Sequence, residues 1–157
     1  MNRSGYNEDG DWDEDTQRRV NLYRGAIKRA LTGKRGQALL RRIVAALDAM
    51  PVKELERDTF GGNSGCMCTF GALAAHEGID VADLEPPDED DEVDPVEADI
   101  LAARFGCAEA LAREIMWTND TAPIHGLSVM GPRLSPNIER QRRWAWMRGW
   151  CAARIVE

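Results

Sequence analysis

Apolar residues recur at helical spacing along most of the chain. Between Gly36 and Met50, Leu39, Leu40, Ile43, Val44 and Leu47 follow one another at three- and four-residue steps, while Arg41, Arg42 and Asp48 fall largely on the other side. This pattern predicts the core helix, ended by Pro51, which biases Met50 away from helical geometry. Upstream, Val20, Tyr23, Ile27 and Leu31 mark the face of an earlier helix that begins near Thr16 and ends at Gly33. The turn Gly33-Lys34-Arg35-Gly36 is short, so the two helices are expected to pair antiparallel.

After Pro51 the period changes. Val52 to Phe60 shows a weak alternation, a Gly-rich cluster at 61–65 favours a turn, and Cys66-Met67-Cys68 follows, which predicts a small β-hairpin packed on helices. Thr69 then opens a short helix that stops at Gly78, and Asp80 caps a further turn. Residues 85–94 read EPPDEDDEVD, seven acids in ten positions, and predict a solvated loop. Asp94-Pro95 begins a helix with Ile100, Leu101, Ala103 and Phe105 inward, ended by Gly106. Cys107 to Thr118 forms another around Leu111 and Ile115. An irregular stretch, 119–135, leads to a last helix opened by Ser135-Pro136, with Trp144, Met147, Cys151 and Ile155 on one face. The expectation is a mainly α single domain over residues 16–157, with five or six helices and one hairpin, preceded by an acidic arm at 1–15 too polar to offset the entropy of ordering.

Composition narrows the class. A chain of 157 residues with 43% hydrophobic and 30% charged positions is one ordinary globular domain, able to bury about two-thirds of its unfolded surface without disulfides or metals. The amino-terminal residues have no apolar core like that of a signal peptide, and no apolar run spans a bilayer, which predicts a cytoplasmic protein without membrane contact. Cys66, Cys68, Cys107 and Cys151 are then expected as reduced thiols. The net charge of −7 is unevenly spread: residues 16–57 sum to +8 and residues 58–103 to −13. Such blocks either lie against each other and neutralise or form a two-faced surface.

Four segments, KRGQALLRRIVAALDAMP, CTFGALAAHEGID, FGCAEALAREIMWTND and the closing RWAWMRGW, together resemble a set of small proteins carried by bacteriophages and prophages. The resemblance covers about residues 16–120 and the last helix. That set has no assigned activity, so the resemblance implies a phage or prophage origin and a role against host machinery, and it transfers no functional residue.

Candidate chemistry is sparse. Cys66 and Cys68 are one residue apart, with His76 nearby and His125 distant, a spacing unlike that of a closed zinc site, and no metal or other cofactor is expected. A nucleophilic thiol there would need His76 as its base. Asn119-Asp120 and the acidic run lack the ligand spacing of a calcium loop, and the Gly-rich cluster at 61–65 lacks the Lys-Ser/Thr of a phosphate loop. Binding is better represented. Trp146 and Trp150 with Arg143 either pack within the chain, the commoner use of Trp, or form an aromatic and basic cluster of the kind that dominates interfaces, and Asp88, Glu89, Asp90, Asp91 and Glu92 could imitate phosphates to a basic partner. The leading expectation is a non-enzymatic protein-binding protein of phage type, an inhibitor of host defence (anti-CRISPR-like) that occupies a partner such as a nucleic-acid-binding defence complex. The alternatives are a nucleic-acid-binding accessory protein using residues 16–57 and a small Cys-centred metal protein or enzyme. The oligomeric state is left open by the sequence.

Overall fold

A computed structural model describes residues 14–57, 59–61, 66–84, 97–122 and 135–156. Six α-helices occur among them: α1 (Glu14–Thr32), α2 (Lys34–Ala49), α3 (Thr69–Glu77), α4 (Glu97–Phe105), α5 (Glu109–Asp120) and α6 (Pro136–Ala152), with a 3₁₀ turn at Val81–Leu84. No strand forms among the described residues. No helix there is long and apolar enough to cross a membrane.

The apolar face of α2 is the centre of the fold. Leu39, Leu40, Ile43 and Leu47 are completely buried, because α3 and α6 pack on α2 from different sides and α1 covers its start. Helix α5 completes the core by touching α1, α3, α4 and α6. At the far end, the rings of Phe70 and Phe105 stack with centroids 5.3 Å apart. Helices α3 and α4 both end where the chain turns left-handed at glycine, Gly78 at φ 70° and Gly106 at φ 71°. Beyond each glycine the chain folds back on its helix, with Ile79 N–H donating to Ala74 O and Cys107 N–H to Ala102 O.

Gly36 differs in role from the expected turn residue. Helix α2 begins two residues before it, at Lys34, so Gly33 alone separates α1 from α2. A Cβ on Gly36 would fall 1.8 Å from the carbonyl oxygen of Ala30, so the glycine is what allows the end of α1 to lie directly on the first turn of α2. Gln37, next along, is 6% exposed and joins three segments. Its Nε2 donates to Leu31 O and Arg154 O at 2.7 and 2.8 Å, and its Oε1 accepts from Val156 N–H at 2.8 Å.

The expected hairpin does not form among the described residues. The segments meant to pair do approach, with Glu56 N–H donating to Met67 O and Cys68 N–H to Thr59 O, but two bonds make no ladder. Between them sits a side chain from α5. Asn119 Oδ1 accepts from the backbone N–H of Thr69 at 3.1 Å, and its Nδ2 donates to Glu56 O at 3.0 Å. The carboxamide thus takes the place of a neighbouring strand's peptide group, and the segments close on α5 rather than on each other. Asn119 and Asp120, expected in the irregular stretch, instead continue α5. Residues 123–134 lie outside the described residues, as do the acidic run at 85–94, most of the Gly-rich cluster and residues 1–13 of the arm; Glu14 and Asp15 of that arm belong to α1.

Candidate functional surface on α6

Helix α6 starts as its sequence dictates, with Ser135 extended at the cap and Pro136 at the first helical position, where its missing N–H has no partner to lose. Four side chains then hold it to the body. Arg148 pairs with Asp48 at the end of α2 through two bonds of 2.7 and 3.0 Å, and the Trp144 indole N–H donates to Leu47 O at 3.0 Å. Arg140 Nε lies 2.6 Å from Glu56 Oε2. Arg143 goes deepest. It is 4% exposed, its Nε donates to Asn119 O at 3.0 Å and its Nη1 points to Leu55 O at 3.4 Å. Burial lowers the pKa of this guanidinium from its ordinary value, although it remains far too basic to lose its proton.

Three of the residues chosen as an interface cluster therefore separate. Trp146 is 43% exposed, whereas Trp150 is 9% exposed under the guanidinium of Arg154, which lies 4.1 Å from the ring centroid. Four residues rotate a side chain by about 40° around a helix, enough to carry position 150 from the outer surface to the boundary of the core. Arg143 faces inward because it serves the polar centre around Asn119. Among the residues exposed on α6 with Trp146 are Ile138, also 43% exposed, Arg142, Ala145 and Gly149. A Cβ on Gly149 would meet no atom within 4 Å, so the surface beside Trp146 is open. Asp88, Glu89, Asp90, Asp91 and Glu92 lie outside the described residues.

The cysteine region forms a separate cleft of about 440 Å³, in which Cys66 and His76 are both lining residues with Met50, Val52 and Met67. The thiol and the imidazole are not hydrogen-bonded to each other. All four cysteines are free, and burial pushes the Cys107 and Cys151 thiols up to about 11 and about 12. Among the described residues no three His, Cys, Asp or Glu side chains converge as metal ligands. Comparison with protein-family models, curated proteins and solved structures finds no match to the chain.

Proposed function

We propose that the protein is a non-enzymatic protein-binding module of phage type that blocks a host defence component in the cytoplasm by occupying its surface, and that the outer face of α6 makes the contact. The observation that supports this reading is the exposure of Trp146 on a helix clamped to the body at both ends of its inner face. Ile138 and Arg142 flank the indole at four-residue steps, giving an apolar and cationic strip of the composition that anchors interfaces. A rigid helix presenting a large side chain loses little entropy when it docks. Trp146→Ala tests this. The ring is 43% exposed and so more than half covered, and the variant should melt below the wild type yet stay folded at the capture temperature, while host proteins recovered with the wild type should be lost. Unchanged recovery by the folded variant would move the contact off α6.

A nucleic-acid accessory role is the second reading. It draws on the exposed cations Arg18, Arg19, Lys28, Arg29, Lys34 and Arg35, which run along α1 into α2. Binding that weakens steeply with salt would favour it over the α6 reading.

A further inference from the structure

Helices α1 and α5 and the turn after α6 border a cleft of about 460 Å³, within the range of small-molecule sites. Helix α1 contributes two rungs, Ile27 and Leu31 as apolar wall, Arg24 and Lys28 as cations. Helix α5 adds Trp117 and, one turn earlier, Glu114; Arg154 enters from the C-terminal side. Three cations against one carboxylate make the cleft locally positive in a chain whose net charge is −7.

Two of these cations are poised rather than engaged. Lys28 is exposed, and its ammonium has no hydrogen bond or ion pair among the described residues. Arg154 is fixed in place by the Trp150 ring and by its Nη1 bond to Trp150 O at 3.0 Å, and no carboxylate among the described residues pairs with it. A guanidinium held this way keeps donors for a ligand without having to be ordered first. Arg24 stands one turn from Lys28, about 6 Å along the helix, so its charge adds to the positive field at the same place.

We infer that the cleft between α1 and α5 binds a nucleoside phosphate, its phosphate at Lys28 and Arg154 and its base against Ile27, Leu31 and Trp117. A simple carboxylate would answer only one of the two poised cations, whereas a phosphate carries about two negative charges and three acceptor oxygens. The apolar wall with an indole suits a flat ring. Glu114 supplies an acceptor for a base amino group or a ribose hydroxyl, which inorganic phosphate lacks. The same chemistry is offered by a free mononucleotide and by the 5′-phosphorylated end of a strand.

Calorimetric titration of the full chain with AMP, GMP, CMP and UMP, beside adenosine, inorganic phosphate and a 5′-phosphorylated tetranucleotide, tests the assignment. At least one mononucleotide should bind more tightly than both adenosine and phosphate. A tetranucleotide that binds more tightly than every mononucleotide identifies the strand end as the source, and the reverse order identifies the free nucleotide. Lys28→Glu, at an exposed position whose ammonium has no partner among the described residues, should preserve the melting temperature and weaken binding by about tenfold or more, with Arg154→Gln acting in the same direction. No binding by any nucleotide, binding of adenosine as tight as that of AMP, or full affinity in Lys28→Glu would each overturn the proposal. Trp146→Ala should leave this affinity untouched, which separates the cleft from the α6 surface.

Discussion

Asn119 does more for this fold than its size suggests. Besides the two backbone groups it joins, its Oδ1 accepts from the Thr69 hydroxyl at 2.9 Å, its Nδ2 donates to Asp120 Oδ1 at 3.0 Å, and its own carbonyl receives Arg143. The residue is 1% exposed, so water cannot replace what the carboxamide provides. Asn119→Ala should cost about 1–3 kcal/mol for each buried group left unpaired, read as a lower urea midpoint at unchanged slope. A midpoint equal to the wild type's would show that the carboxamide is not what closes these segments. The sequence concealed this role. Asn119 begins the polar run Asn-Asp-Thr, whose local signals are those of a loop, and its partners lie 50 and 63 positions away. Trp150 was illegible for a related reason: whether an indole near the edge of a helical face is covered depends on Arg154, one turn further on.

Helices were legible wherever apolar periodicity set them. The face of α2 and the glycine stops of α3 and α4 all reflect local chemistry. What periodicity could not convey is how closely two backbones approach. Gly71, inside α3, looks from sequence like a tolerated defect, yet a Cβ there would fall 1.8 Å from Phe60 O. Gly149, inside α6, has no neighbour within 4 Å of the same position. Alanine substitutions should therefore have opposite signs. Gly149→Ala should stabilise by about 0.5–1 kcal/mol through helix propensity. Gly71→Ala should destabilise by about 1–3 kcal/mol or more, because the obstruction is a carbonyl that cannot rotate away. Paired thermal melts decide this, and shifts in the same direction would mean that α3 has room to move. Arg42, placed on the solvent side by its spacing, is likewise a link between elements, bonding both oxygens of Glu77 and also Phe105 O.

Among the described residues the sign blocks partly neutralise. Arg42 of the basic stretch meets Glu77 of the acidic one, but Asp48 and Glu56, acids within the basic stretch, are taken by Arg148 and Arg140 of α6. The hydrogen bond from Arg42 holds the Glu77 pKa below the usual carboxylate range, and the bond from Arg148 does the same for Asp48. For Glu56, burial alone would raise the value, and the Arg140 bond, the Arg57 N–H and the nearby positive charges outweigh it, so it too is lowered. Groups depressed in the folded state stabilise it above their unfolded values, 3.8 for Asp48 and 4.5 for the two glutamates, and that stabilisation is lost as pH falls through the folded values. The melting temperature should thus hold from neutrality to about pH 5 and fall below about pH 4.5. In Glu77→Gln the fall should be shallower; an identical acid limb in both proteins would remove Glu77 from the account.

The bonds from Gln37 to Arg154 and Val156 also set a timetable for synthesis. They join positions 117 and 119 residues apart, and α6, which covers much of α2, is itself translated late. At ribosomal rates of about 5–20 residues per second, α2 waits about 6–24 s for the segment that completes its burial. During that interval Leu39, Leu40, Ile43 and Leu47 form an apolar stripe without its final cover. Until the last turn emerges, that stripe is the kind of surface a holding chaperone recognises.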